Sequence, residues 1–372
     1  GATFALANGN FTFNPGSQIT GAGAVKIAGG TTTFSGNNTG SANIVISGGS
    51  AAFNGTTNTT GGGTLSGGTL SGTGALIFGA PVVLDGTTLT GAGVITAAAG
   101  ANLTGSFSFN GTRTLELAGN STWSAGYLYG GGGSILNIKP GVTLTNSFDG
   151  TLNGTYYGSG NLTTVLNNEG TLTKSAGAAN SRTTITATVN NTGAVNVQSG
   201  TLDFSGGGSS TGTFTVAANT TLELGGGSFT FNSGSQITGA GAVKISGGTT
   251  TFSGNNTGSA NIVISGGSAA FSGTTNTTGG GTFSGGTLSG NGTLVLGAPV
   301  TLSGTTLTGA GVITAGNGAN LTGSFSFNGA RTLELAGNST WSAGYLYGGG
   351  GSILSIKPGV TLTNSFDGTL NG

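Results

Sequence analysis

The chain has 372 residues, 82 of them glycine, with no cysteine, methionine or histidine and with only 4% charged residues, balanced to zero net charge. Zero net charge removes the electrostatic footprint that nucleic acid or an anionic membrane would recognise, and no apolar run reaches the ~18 residues of a membrane span. The missing Cys and His exclude a disulfide framework and a thiolate or imidazole metal site.

Along the chain the apolar residues come in alternating pairs set between glycines: Phe11/Phe13, Val25/Ile27, Ile44/Ile46, Phe107/Phe109, Leu115/Leu117, Leu136/Ile138, Val195/Val197, Leu202/Phe204 and Leu222/Leu224. Period-two alternation marks a strand buried on one face. The residues between them, such as Thr12, Lys26, Glu116, Asn137 and Glu223, are polar, as an outward face requires. No window carries a helical period, and glycine every few residues opposes one. A Gly/Ser-rich chain can also be disordered for want of apolar residues to bury, but the regular apolar pairs and the low charge argue against that. The expectation is an all-β chain with turns at Gly-Gly and Asn-Asn-Thr-Gly clusters.

The spacing decides which all-β architecture. V-K-I-A-G-G-T-T-T-F-S-G at 25–36 returns as I-V-I-S-G-G-S-A-A-F-N-G at 44–55, so Ile27 and Ile46, and Phe34 and Phe53, are each 19 residues apart. Leu202, Leu222, Val243 and Ile262 follow at steps of 20, 21 and 19. A fixed period of this size is the signature of a solenoid, whose coils stack like over like. The fold predicted is a right-handed parallel β-helix with coils of about 19–21 residues, and the looser stretches 60–110 and 280–325 are expected to hold coils of ~30 residues.

Residues 121–133 carry Trp123, Tyr127 and Tyr129, which recur as Trp341, Tyr345 and Tyr347. Residues 155–170, with Tyr156 and Tyr157, read as an irregular rung or lateral loop. A shift of 218 lays 229–372 over 11–154 with 14 differences in 144 positions. The whole of 1–372 is therefore expected to be one continuous solenoid, with 1–218 as a first sequence unit and 219–372 as a partial second. No signal peptide is legible at Gly1, and neither end reads as a polar cap. The expectation is a segment of a longer chain that self-associates end-to-end or laterally.

The chemistry legible here is sparse. Asp85, Glu116, Asp149, Glu169, Asp203, Glu223, Glu334 and Asp367 are scattered at roughly one per two coils, so no paired-carboxylate mechanism is expected. Without His or Cys a Ser or Thr nucleophile lacks its usual base. Neither an Asp-rich calcium nonapeptide nor a phosphate loop is present. The expectation is no enzyme, no metal and no cofactor. Arg113 and Glu116, with Arg331 and Glu334, fall on opposite faces of a strand and read as solvated or turn-capping charges, or as members of an inter-coil or inter-chain ion pair. The aromatic set Trp123, Tyr127, Tyr129, Trp341, Tyr345 and Tyr347 is the candidate contact for a glycan or partner, or else packs inside a wide coil or against a neighbouring chain.

The strings E-G-T-L-T-K-S-A-G…V-N-N-T-G-A-V-N-V-Q-S-G-T-L-D-F-S-G-G-G (169–208) and T-L-E-L-G-G-G-S-F-T-F-N-S-G-S-Q-I-T-G-A-G-A-V-K-I-S-G-G (221–248) resemble the strand repeats of giant bacterial surface proteins. They are similar to the passenger regions of filamentous-haemagglutinin-type adhesins and autotransporters. That resemblance implies a right-handed β-helix exposed outside the cell and hands over no catalytic residue. Together with the absence of oxidation-prone Cys and Met, it leads us to expect an extracellular structural protein, a rigid segment of a repetitive fibre. The alternative is an adhesin that binds carbohydrate or a cell-surface receptor.

Overall fold

A computed structural model describes residues 1–156, 163–177 and 181–372. Among the described residues there is no helix, and short strands pair in parallel with the strands one coil before and one coil after. The architecture is a β-solenoid of about 18 turns. It divides into two compact units, one formed by Gly1–Gly177 with Arg182–Ala194 and the other chiefly by Val195–Gly372.

In the first unit a coil is laid out by the strands Ala24–Ile27, Thr31–Phe34 and Asn38–Gly40, one for each of three faces. Alternation sends Val25 and Ile27 inward and Lys26 outward. In the next coil the first two strands merge into Asn43–Phe53, whose pairing shifts register between Ile46 and Ser50. Val25 pairs with Ile44, Ile27 with Ile46 and Phe34 with Phe53, in the register the sequence echo predicts. One inward ladder runs Leu6, Ile27, Ile46, Leu65, Leu84, Leu103 and Trp123. The second unit builds its own ladder from Leu224, Ile245, Ile264, Phe283, Leu302, Leu321 and Trp341.

Phenylalanines show how strictly the ladder governs packing. The rings of Phe13, Phe34 and Phe53 are stacked with centroids 4.8 and 4.4 Å apart and planes within 7°. Phe231, Phe252 and Phe271 repeat the arrangement at 4.9 and 4.6 Å. Free aromatic pairs prefer offset or edge-on contacts. Here the strand spacing of ~4.8 Å holds like rings face to face.

Corners demand glycine where coils touch. Gly30, Gly49 and Gly68 occupy one corner in successive coils with φ of 64°, 62° and 65°. A Cβ on Gly49 would lie 2.6 Å from the Gly29 carbonyl carbon and 2.7 Å from the Gly30 oxygen. No side chain fits there, and the left-handed backbone would be strained with one.

Two expectations are corrected. Longer coils do not lie in 60–110 or 280–325: Leu76 pairs with Ile95, Val82 with Ala101 and Val300 with Ala319, the same short step that joins Ile27 to Ile46. The expanded coil lies later, where a distinctly longer step joins Ile135 to Val165 and Thr143 to Thr171. Strands such as Thr88–Leu89 carry a single apolar residue, so the period-two signal fades although the coil stays short. Of the stretch read as a lateral loop, Val165–Asn168 is a regular rung on Ile135–Ile138, while 157–162, including Tyr157, lies outside the described residues.

The second correction concerns Arg113 and Arg331, which are fully buried instead of solvated. Arg113 Nε donates to the Thr90 carbonyl at 2.8 Å, and its Nη2 donates to the Gly72 carbonyl, two coils back, at 2.9 Å. Arg331 repeats this on Thr308 and Gly290 at 2.9 and 2.6 Å. Burial pulls both guanidinium pKa values down to about 10. Gly93 makes the room: a Cβ there would sit 2.6 Å from Arg113 Nη1. Glu116, on the opposite side of the strand, pairs with Lys139 of the next coil at 3.6 Å, and Glu334 pairs with Lys357 at 2.8 Å.

Replacing the fully buried Phe34 by alanine leaves a gap in the ring stack and should lower the unfolding free energy by about 3–5 kcal/mol. Asn58→Ala, on an exposed outward position, should change it by no more than about 0.5 kcal/mol. Urea titrations followed by circular dichroism compare the two; equal effects would contradict the ladder's interior.

Candidate functional site

The stretch S-T-W-S-A-G-Y-L-Y-G folds as two short strands, Ser121–Trp123 and Leu128–Gly130, joined through a corner. Alternation turns Ser121 and Trp123 inward in the first strand and Leu128 inward in the second. Tyr127 and Tyr129, on either side of Leu128, therefore share the outward face. Tyr127 is 41% exposed, and its ring centroid lies 6.2 Å from that of Tyr129. The Tyr127 N–H donates to Ser106 Oγ of the preceding coil at 2.9 Å, which fixes where the pair begins.

Two residues not assigned to this set by sequence join it in the first unit. Tyr156 stands 4.5 Å from Tyr129, and Phe148 meets Tyr127 edge-on at 6.3 Å. The coil spacing contains the signal, because Tyr129 pairs with Asn153 and Tyr156 follows shortly after it. The second unit repeats the pair, Tyr345 and Tyr347, at 6.3 Å.

The tryptophans are elsewhere. Trp123 is 2% exposed and Trp341 8% exposed, each stacked into its ladder above a leucine. Trp123 Nε1 donates to the Gly126 carbonyl at 3.1 Å, and Trp341 Nε1 to that of Gly344 at 3.3 Å. Each indole thus holds, from inside, the corner from which the outward tyrosines start. As surface contacts the sequence set reduces to Tyr127, Tyr129, Tyr345 and Tyr347, with Trp123 and Trp341 beneath them. Such a surface offers flat apolar rings with hydroxyls at their edges, which suits the faces and rim of a sugar or a partner side chain.

The charged residues that adjacent coils bring together were not paired by sequence reasoning. Asp203 and Glu223 are register partners in adjacent coils, and both are 5% exposed. Asp203 Oδ1 accepts from the Gly225 N–H at 3.1 Å. Glu223 Oε1 accepts from the Ser246 hydroxyl and faces Lys244 Nζ of the next coil at 3.3 Å. These carboxylates, set between the inward Leu202/Phe204 and Leu222/Leu224, are enclosed and engaged with neighbouring coils. Counting one coil forward from Asp203 would have found the pair.

No family model, no curated protein and no solved structure matches the chain.

Trp123→Ala removes a buried indole and should destabilise the fold by about 3–5 kcal/mol. Tyr127→Ala, outward and half exposed, should cost less than about 1 kcal/mol. Thermal unfolding of the two variants distinguishes an internal support from a surface residue, and a neutral Trp123→Ala would overturn that assignment.

Proposed function

We propose that the chain is a non-enzymatic structural segment of a repetitive extracellular fibre, of the kind its strand repeats resemble in large bacterial surface proteins. The observation that carries the reading is the stacking of like strand positions, coil on coil, within each unit. Such stacking ties coils to their neighbours through backbone hydrogen bonds and a largely apolar interior, so load is shared along the axis. The long sequence copy, with 14 differences in 144 positions, is what a lengthening fibre reuses. The absence of Cys and Met from the sequence leaves no thiol or thioether to oxidise, which suits service outside the cell. The enclosed state of Asp203 and Glu223 supports a structural reading over a hydrolytic one.

Outward faces made of Thr, Ser, Asn and Gly with 4% charge overall provide little of the charge repulsion that keeps surfaces apart. Self-association is therefore part of the proposal, and zero net charge favours a neutral partner over nucleic acid. A second reading, an adhesin, is favoured by one observation: the outward tyrosine pair recurs at Tyr127/Tyr129 and Tyr345/Tyr347.

Sedimentation and negative-stain electron microscopy across a concentration series test the first reading, which expects ordered assemblies that grow with concentration. A monodisperse monomer at every concentration would count against it. A glycan array read with wild type and with a Tyr127→Ala/Tyr345→Ala double variant tests the second, which expects binding that the double variant loses.

A further inference from the structure

The inward ladder that is apolar as far as Trp123 changes character in the next two coils. Trp123 is followed in register by Asn146, and Asn146 by Lys174. The Lys174 side chain is fully buried and Asn146 nearly so. Lys174 Nζ donates to Asp149 Oδ1 at 2.9 Å, to Thr183 Oγ1 at 3.1 Å and to the Ala176 carbonyl at 3.2 Å. Thr183 Oγ1 also lies 2.8 Å from Asn146 Oδ1 and 2.8 Å from the Phe148 carbonyl. The amine and the amide thus share one hydroxyl as a common neighbour, and Asn146 Nδ2 is buried without a hydrogen-bond partner.

An amine, a carboxamide and a carboxylate converge here beside a hydrophobic ladder. The Lys174 side chain is enclosed while that of Asp149 reaches solvent, and Asp149 Oδ1 lies where it can accept a proton from Nζ. Asn146 and Lys174 are register partners in adjacent coils and share Thr183 Oγ1 as a neighbour, which confines the carboxamide and the amine together at a high effective concentration. We propose that Lys174 and Asn146 form an intramolecular isopeptide bond, with Asp149 as the proton carrier. Lys174 Nζ passes a proton to Asp149 and attacks Asn146 Cγ. The Nζ–Cγ bond forms, the Cγ–Nδ2 bond breaks, and the amide nitrogen leaves as ammonium, taking the proton held by Asp149 and the second proton of the attacking amine. The ammonium-bearing lysine and the amide supply every atom, so no oxidant or co-reactant is needed. The product joins two adjacent coils covalently inside the first unit.

The test is the intact mass of the purified full chain under denaturing conditions, followed by tryptic peptide mapping. The expected result is a chain lighter than its sequence by one ammonia, no tryptic cleavage after Lys174, and one tryptic peptide that holds both 146 and 174, runs on to Arg182 and is closed into a ring between them. Lys174→Arg and Asp149→Asn should each restore the full sequence mass. Asn364 and Asp367, the copies of Asn146 and Asp149, serve as an internal control whose peptide stays linear. A wild-type chain of full mass overturns the proposal. So does loss of ammonia with Lys174 still cleavable, which marks a cyclic imide instead. If Lys174→Arg fails to fold, the wild-type mass and Asp149→Asn decide the matter alone.

Discussion

Everything in this structure depends on a strand being hydrogen-bonded, in parallel and in register, to the strand one coil earlier. Parallel pairing at ~4.8 Å leaves no freedom in what a side chain packs against along the axis: its neighbours are the residues one coil back and one coil on. The face-to-face phenyl stacks of Phe13, Phe34 and Phe53 follow from this spacing and not from any preference of aromatic rings. The same closeness empties the corners of side chains, because at Gly49 the backbone of the preceding coil already occupies the position of a Cβ. Glycine abundance is thus the companion of a crowded corner, and Thr, Ser and Asn fill most outward positions, where the side chain meets solvent.

The register also explains what could be read in advance. Period-two alternation and the coil-length recurrence are written in residue types, and both are direct images of the ladder, so strands, coils and the pairing of Ile27 with Ile46 were legible. The buried state of Arg113 was not. Its strand neighbours Leu115 and Leu117 mark a strand, but its own burial depends on Gly93 and the carbonyls of Thr90 and Gly72, which lie one and two coils away. Trp123 illustrates the opposite confusion, since a large ring beside two tyrosines suggests a surface, and only its place above Leu103 shows the ring to be internal. The expanded coil between Ile135 and Val165 hid behind its own regular strands. Asp203 and Glu223 are remote along the chain, although in a solenoid a separation of one coil means contact.

A ladder built from nearly identical rungs has a weakness that its polar exceptions address. Coils such as 25–36 and 44–55 are alike enough that sliding one stack by a whole coil would still lay aliphatic residues on aliphatic residues and phenyl on phenyl. Apolar burial alone discriminates poorly between such registers. Singular polar rungs do discriminate. Sliding the stack would carry Lys174 away from Asp149, which it meets at 2.9 Å, and leave the enclosed Lys174 side chain without that partner. It would also separate Asn168 from Asn191, whose side chains are joined at 2.7 Å in the interior, and break the outward chain in which Asn190 donates to Asn167 and Asn167 to Asn137 at 3.0 and 2.9 Å.

These singular rungs gather in the first unit between positions 137 and 191, around the expanded coil, in a part of the sequence that mostly lacks a second copy. The expanded coil is also where the step between paired rungs departs from that of the short coils, so the stacking period alone fixes register least there. Polar specificity is thus concentrated where geometric specificity is weakest, much as a lone buried asparagine sets the register of a coiled coil. An isopeptide bond between Lys174 and Asn146 would complete that logic, converting a register selected by hydrogen bonds into one that can no longer change.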